Sequence, residues 1–173
     1  IDATRQTSFP DLVRVVVAVD PAATSGDSAD ETGIIAAGAG DDSRGYVLAD
    51  YSVRATPDGW AREAVAAYHK HEADCIVAEA NQGGEMVGYT LETVDASVPV
   101  RLVRASRGKQ TRAEPVAAIY EQGRISHVGL FAELEDQLCS WTPGDKSPDR
   151  LDALVWAFSE LAITQNDFVI FSA

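Results

Sequence analysis

Hydrophobic residues in the first third of the chain follow the pattern of extended strands. Residues 13–19 are an almost unbroken β-branched run that ends in Asp20, which is typical of a central strand buried on both faces. Two further strand patterns follow at 33–38 and 46–54, separated by a polar turn that begins and ends with glycine. This part of the chain is therefore predicted to be a three-stranded antiparallel meander.

After residue 55 the hydrophobic spacing changes to that of helices alternating with short strands. Thr56 and Pro57 are an N-cap and a first helical residue, and Thr111 with Glu114 fits a capping box. The spacing predicts strands at 74–79, 98–104 and 125–128, and helices from 56, over 84–95, over 111–123, over 130–141 and from 147. The residues expected to face inward in two of these helices are Met86, Val87, Leu91 and Val94, and Leu130, Leu134 and Leu138.

This order predicts an α/β fold in which a mixed sheet, a meander followed by βαβ units, carries helices on both faces. If the first and fourth strands are parallel neighbours, Asp20 and Glu79 end side by side at the carboxyl edge of the sheet, near a topological switch point. We interpret residues 1–12 as a linker, 13–164 as the domain and 165–173 as a C-terminal tail.

The composition is that of one folded domain with an acidic surface. The chain has 173 residues, of which 46% are hydrophobic, and a formal charge of −13. No run is long enough to span a membrane, and the N-terminus lacks a signal-peptide pattern. Cys75 and Cys139 lie within apolar patterns, so we expect buried reduced thiols and a cytosolic setting.

Positive charge is concentrated in one segment, which we call the basic strip. It holds 5 of the 14 lysines and arginines within twelve residues, namely Arg101, Arg104, Arg107, Lys109 and Arg112. Such a strip on an acidic body can hold a phosphate backbone in one orientation. An ordinary solvated loop is the alternative interpretation.

Three acids, Asp20, Glu79 and Asp152, are the candidate chemical groups. The first two end predicted strands, and Asp152 lies among apolar residues in the last helix, where an unpaired charge is costly. Crowded carboxylates repel one another, a divalent metal relieves the repulsion, and such clusters build Mg²⁺ or Mn²⁺ sites for phosphodiester chemistry. Asp149 lies on the same helix face as Asp152, and its alternative role is to stabilise the helix N-terminus.

Other polar residues carry weaker signals. Asp27 and Asp30 lie in the loop after the first strand, where acids are usually solvated, although they could reach a metal. A turn is predicted after Glu79 from Asn81, Gly83 and Gly84. Its backbone N–H groups could approach a phosphate, and the alternative is a simple tight turn. His127 has no evident partner, and no P-loop motif is present.

Several of these segments together resemble the C-terminal nuclease domain of the large terminase subunit of tailed bacteriophages. The resemblance covers roughly residues 13–160. The segments that carry it are Val19-Asp20-Pro21-Ala22, Asp30-Glu31-Thr32-Gly33-Ile34, Val77-Ala78-Glu79-Ala80-Asn81-Gln82-Gly83-Gly84, Lys109-Gln110-Thr111-Arg112-Ala113-Glu114-Pro115-Val116 and Pro148-Asp149-Arg150-Leu151-Asp152-Ala153-Leu154-Val155.

The resemblance implies a ribonuclease H-like fold and an endonuclease that cuts concatemeric viral DNA during genome packaging in the cytoplasm of the bacterial host. It implies two Mg²⁺ or Mn²⁺ ions, the motif-matched acids Asp20, Glu79 and Asp152, and a further polar residue at the position of Asp149. The implied partners are double-stranded DNA, an N-terminal ATPase motor domain, the portal and the small terminase subunit. For a nuclease of this fold with two metal ions, we expect Lys109 and Arg112, with Arg104 and Arg107, to bind the DNA backbone.

Three other functions remain open from the sequence. A Holliday-junction resolvase would share the fold and the metal chemistry but would need a dimer. An actin-like ATPase half would need a second similar domain and a second phosphate loop. A portal-docking module with a vestigial acid cluster would not bind metal.

Overall fold

A computed structural model describes residues 1–21, 31–80, 84–105, 108–142, 144–145 and 147–162. Within these residues there are six strands and five α-helices, preceded by a 3₁₀ turn at Asp2–Thr4. In chain order they are β1 Leu12–Asp20, β2 Gly33–Gly40, β3 Gly45–Asp50, α1 Pro57–Lys70, β4 Cys75–Glu79, α2 Gly84–Val94, β5 Val100–Val103, α3 Lys109–Glu121, β6 Ile125–His127, α4 Ala132–Ser140 and α5 Asp149–Glu160. No helix among the described residues is both long and apolar enough to cross a membrane.

The six strands form one mixed sheet in the order β5-β4-β1-β2-β3-β6. The pairs β1–β2 and β2–β3 are antiparallel, whereas β4 pairs with β1 in parallel. Strands β5 and β6 join β4 and β3 in parallel at the two edges. The predicted α/β fold, with a meander and βαβ units in one sheet, is confirmed.

The two faces of the sheet bury different helices. In β1, Val16 and Ala18 pack with α3, α4 and α5, whereas Val17 and Val19 pack on the opposite face with α1 and α2. Successive strand residues point to opposite faces, and both sets are almost fully buried, which explains the uninterrupted β-branched run of this strand.

Residues 1–12, interpreted from the sequence as a linker, contact the body of the domain in this structure. The Gln6 N–H donates to the His127 carbonyl at 2.9 Å, and Gln6 forms an isolated bridge with Val128. The Arg5 guanidinium binds the Glu135 carboxylate on α4 at 2.6 Å. The predicted tail, residues 165–173, lies outside the described residues.

His127 has partners, so the expectation from the sequence is wrong. Its ring is fully buried, with Nδ1 2.9 Å from Glu135 Oε1 and Nε2 2.7 Å from the Tyr120 hydroxyl. A carboxylate only accepts, so the neutral ring donates from Nδ1 and accepts from the tyrosine at Nε2. Burial lowers the pKa of His127 against the opposing effect of Glu135. The hydrogen bond from Arg5 lowers the pKa of Glu135 to about 2.

Four local predictions are corrected by the helix boundaries and faces. Met86 is exposed because Val87 and Leu91 set the inner stripe of α2, and Leu130 is exposed because it precedes α4. Cys139 is exposed because it lies one residue beyond the inner stripe of α4, while Cys75 is half-buried and both thiols are free. Thr111 lies inside α3, whose N-cap is Gly108, so the predicted capping box is wrong.

Gly33 allows α5 to lie directly on the sheet. A methyl group built on its Cα would be 2.0 Å from the Asp149 carbonyl oxygen, far inside contact distance. Gly33 pairs with Asp20 across β1 and β2. The N-terminus of α5 therefore contacts the sheet beside Asp20, and only glycine permits this approach.

We expect Gly33→Ala to destabilise the domain by about 1–3 kcal/mol, since the new methyl group has to push α5 away from β2. Thermal unfolding of both proteins measures this. Gly108→Ala is the matched control, because a methyl group there meets nothing within 4 Å. Equal melting temperatures for Gly33→Ala and Gly108→Ala would contradict the close packing of α5.

The burial of His127 also predicts a pH dependence of stability. The folded pKa is lowered, so the unfolded chain takes up more protons as the pH falls below about 6.5, and the free energy of unfolding decreases. We expect His127→Gln to flatten this decrease between pH 7 and pH 5, measured by chemical denaturation. His69→Gln is the control, because His69 is exposed and pairs with Asp95 at the surface. If the free energy of unfolding decreases equally in His127→Gln and in the wild type between pH 7 and pH 5, the His127 ring does not control this pH dependence.

Candidate active site

Asp20 and Glu79 lie side by side on one face of the sheet. They end the parallel neighbours β1 and β4, and the preceding residues Val19 and Ala78 are directly paired. Neighbouring strands are about 4.8 Å apart. Ala18 and Val77 pack with α5, and residues two positions apart in a strand lie on the same face. The carboxylates of Asp20 and Glu79 therefore also lie on the face that α5 covers. Their residues are only 8% and 7% exposed.

Helix α5 brings the third acid over this edge. It contacts β2 where Asp149 lies against Gly33, and it contacts β4 where the Trp156 indole N–H donates to Glu79 Oε2 at 2.6 Å. Asp152 lies between these two contacts along the helix and is 2% exposed. The helix therefore places Asp152 above the edge that carries Asp20 and Glu79, with Asp149 one turn before it.

Glu79 is also close to a buried arginine. Arg112 Nη1 lies 3.8 Å from Glu79 Oε2, and the guanidinium stacks on the Trp156 ring with its central carbon 4.4 Å from the ring centroid. Trp156 was not singled out from the sequence. Its spacing of four residues from Asp152 is the signal that would have placed the two on one helix face.

Arg150, which the sequence did not single out either, anchors the start of α5. Its guanidinium binds both carboxylate oxygens of Glu31 at 2.8 Å and also contacts Asp50 and Glu133. Burial lowers the pKa of Arg150, but the hydrogen bonds to Glu31 and Asp50 outweigh it and raise the pKa. This charged cluster joins β3, α4 and Glu31, two residues before β2, to the helix that carries Asp149 and Asp152.

The described members of the basic strip differ in their surroundings. Arg104 is exposed, whereas Arg101 Nη1 binds Glu160 at the far end of α5 at 2.8 Å. The Arg112 side chain is only 10% exposed and belongs to the acid site. Arg107 and the side chain of Lys109 lie outside the described part of the structure.

The weaker candidates fall mostly outside the described residues. This applies to Asp27 and Asp30 and to Asn81 and Gly83, while Gly84 is the first residue of α2. Within the described ranges, no three His, Cys, Asp or Glu side chains form a group that could hold a metal ion as they stand. Asp20, Glu79, Asp149 and Asp152 all have interaction partners in this structure.

A cleft of about 380 Å³ lies apart from the acids, between α3, α4 and α5. Its lining is mainly apolar and includes Val116, Tyr120, Leu138, Trp141 and Val155. None of the four candidate acids lines it. This lining does not suit a phosphodiester.

Solved structures with this fold include viral nucleases and a resolvase. The large terminase nuclease of thermophilic phage G20c, solved with bound zinc, matches with a TM-score of 0.67 and 13% identity over 91% of this chain and 95% of its own. The human cytomegalovirus terminase nuclease domain matches with a TM-score of 0.58 and 15% identity, over 83% of this chain and 82% of its own. The yeast mitochondrial Holliday junction resolvase Ydc2 matches with a TM-score of 0.55 and 13% identity, over 91% of this chain and 81% of its own.

At these identities the structural matches establish the ribonuclease H-like fold alone. A comparison with curated protein sequences finds no significant match. The family comparison covers most of the domain, including β1 from Val17, β4 and all of α5, and therefore all four candidate acids. Since residues 17–161 match the family described as the terminase RNaseH-like domain, this chain belongs to that family.

Proposed function

We propose that this domain is a metal-dependent DNA endonuclease that hydrolyses phosphodiester bonds at the carboxyl edge of its sheet. The observation that carries the proposal is that the helix with the buried Asp152 crosses the sheet edge where the buried Asp20 and Glu79 end neighbouring strands. Membership of the terminase family supports the same function.

The donor set fits Mg²⁺ or Mn²⁺. Carboxylate oxygens are the ligands these hard cations prefer, and at least three acids at one edge repel one another unless a cation balances them. Asp20, Glu79 and Asp152 would hold two ions, with Asp149 as a further ligand. When bound, two such ions supply an activated water and stabilise the leaving oxygen. The G20c nuclease has been solved with bound zinc, magnesium and cobalt, and the cytomegalovirus domain was soaked with manganese.

The residues around the acids would bind and orient the DNA. Lys109 and Arg112, with Arg104 and Arg107, would contact backbone phosphates, which fix the position of a duplex without reading its sequence. The formal charge of −13 repels most of a duplex, so the isolated domain should bind DNA weakly and cut with little sequence preference.

The biological role that fits this chemistry is cleavage of concatemeric viral DNA during genome packaging. In this role an N-terminal ATPase motor domain would deliver the DNA, and the portal and small terminase subunit would be further partners, all in the host cytoplasm. The resolvase Ydc2 shares the fold, so cleavage of four-way junctions is the second candidate. Comparing cleavage of linear duplex and of a synthetic junction separates the two.

We expect nicking of supercoiled plasmid in Mn²⁺ or Mg²⁺ and none in EDTA. Asp152→Asn should abolish cleavage, because it removes a charged ligand from the centre of the site. Asp149→Asn should only reduce it if Asp149 is an outer ligand. Gel assays of supercoiled, nicked and linear DNA measure all three proteins.

Asp136→Asn, an equal change of charge at an exposed position of α4, is the control and should cut like the wild type. Full cleavage in EDTA by clean protein would refute the metal-dependent mechanism. Complete loss in Asp149→Asn would mean that Asp149 is a primary ligand.

DNA affinity should depend weakly on salt. About two or three phosphate contacts predict a slope of about −2 to −3 for log K against log salt. We expect Arg104→Ala to flatten this slope by about one unit and to slow cleavage of all sequences alike. Arg62→Ala, which removes an exposed arginine paired with Asp58 on α1, should leave both unchanged. Equal slopes for the two variants would place the DNA path on another face.

A further inference from the structure

Trp156 contacts both charged groups that meet at the carboxyl edge. Its indole N–H donates to Glu79 Oε2 at 2.6 Å, and its ring face carries the Arg112 guanidinium at 4.4 Å. The first contact is between fully buried atoms, and the Trp156 residue is 8% exposed. One side chain therefore touches a candidate metal ligand and a candidate phosphate-binding cation.

Arg112 and Glu79 form a long ion pair without a hydrogen bond. The distance of 3.8 Å from Nη1 to Oε2 exceeds hydrogen-bond length, and the oxygen in question already accepts from the indole. Arg112 Nε and Nη1 are buried and have no hydrogen-bond partner among the described residues. Buried guanidinium donors are costly to leave unpaired, so these two N–H groups indicate an acceptor that the described residues do not supply.

The chemistry of Arg112 defines that acceptor. Guanidinium N–H groups make strong hydrogen bonds to anionic oxygens, and phosphate oxygens are acceptors only. Stacking on an aromatic face also fixes the plane of the guanidinium. A phosphodiester at the acid edge would bring such oxygens to this position, since Arg112 lies within 4 Å of Glu79.

We propose that Trp156 is a positioning residue that holds Glu79 for the metal and Arg112 for the scissile phosphate at the same time. This inference rests on the proposed nuclease function. The indole N–H occupies the Glu79 oxygen that Arg112 would otherwise bind, so the two opposite charges stay close but apart. The carboxylate thereby remains a metal ligand, and the guanidinium keeps two donors for the phosphate.

The test is Trp156→Phe, which removes the N–H donor and keeps a smaller aromatic face for Arg112. Without the donor, Arg112 closes on Glu79 and competes with the metal. We expect calorimetric titration with MnCl₂, in the absence of DNA, to show a dissociation constant raised by about 10- to 100-fold. Plasmid cleavage at subsaturating Mn²⁺ should fall and recover in part at high Mn²⁺. Trp141→Phe, away from the acids in the apolar cleft, is the matched control and should behave as the wild type.

A second variant keeps the test decisive if Trp156→Phe folds poorly by circular dichroism. Arg112→Lys preserves the charge but lacks the planar group that stacks on the indole. We expect it to lose most cleavage, whereas wild-type cleavage in Arg112→Lys would show that only charge is needed and would overturn the proposal.

Unchanged Mn²⁺ affinity in a folded Trp156→Phe would also overturn it, with the nuclease function intact. Absence of Mn²⁺ binding and of cleavage in the wild type would instead remove the proposed function, and this inference with it.

Discussion

The close contact between the first turn of α5 and the backbone of β2 is the constraint on which the site depends. Gly33 has no side chain, so the Asp149 carbonyl can rest on the sheet, and the helix then passes over β1 toward β4. Arg150 strengthens this contact through Glu31, Asp50 and Glu133. Packing at this glycine therefore sets how closely α5, with Asp152, approaches the strands that end in Asp20 and Glu79.

Electrostatics explains why arginines lie beside the acids in a chain of strongly negative charge. Buried carboxylates are costly unless they are paired, hydrogen-bonded or bound to a cation. Arg150 neutralises a group of acids next to the site, and Arg112 with the Trp156 indole compensates Glu79. The two arginines have different surroundings, since Arg150 is fully engaged by carboxylates and Arg112 retains unpaired donors.

Predictions that depended on local spacing were confirmed where a regular pattern extended over a whole element. The order of the elements along the chain followed from the pattern, and β1 and β4 are the parallel neighbours on which the juxtaposition of Asp20 and Glu79 depended. Errors arose at element ends, where one residue decides the face. Met86 and Leu130 are exposed because the inner stripe of α2 begins at Val87 and α4 begins after Leu130. The described arginines of the strip have different neighbours, since Arg101 lies on a strand beside Glu160 and Arg112 on a helix beside Glu79.

The sequence by itself determined the fold class, the family resemblance and the acids worth testing, because strand alternation, helix periodicity and strand-end carboxylates are all recorded in neighbouring residues. Only the tertiary structure decided which side chains surround those acids. Trp156 lies 77 residues from Glu79, and Arg150 pairs with Glu31, which is 119 residues away along the chain. Such contacts depend on how helices cross the sheet, and no local pattern of residues encodes that crossing.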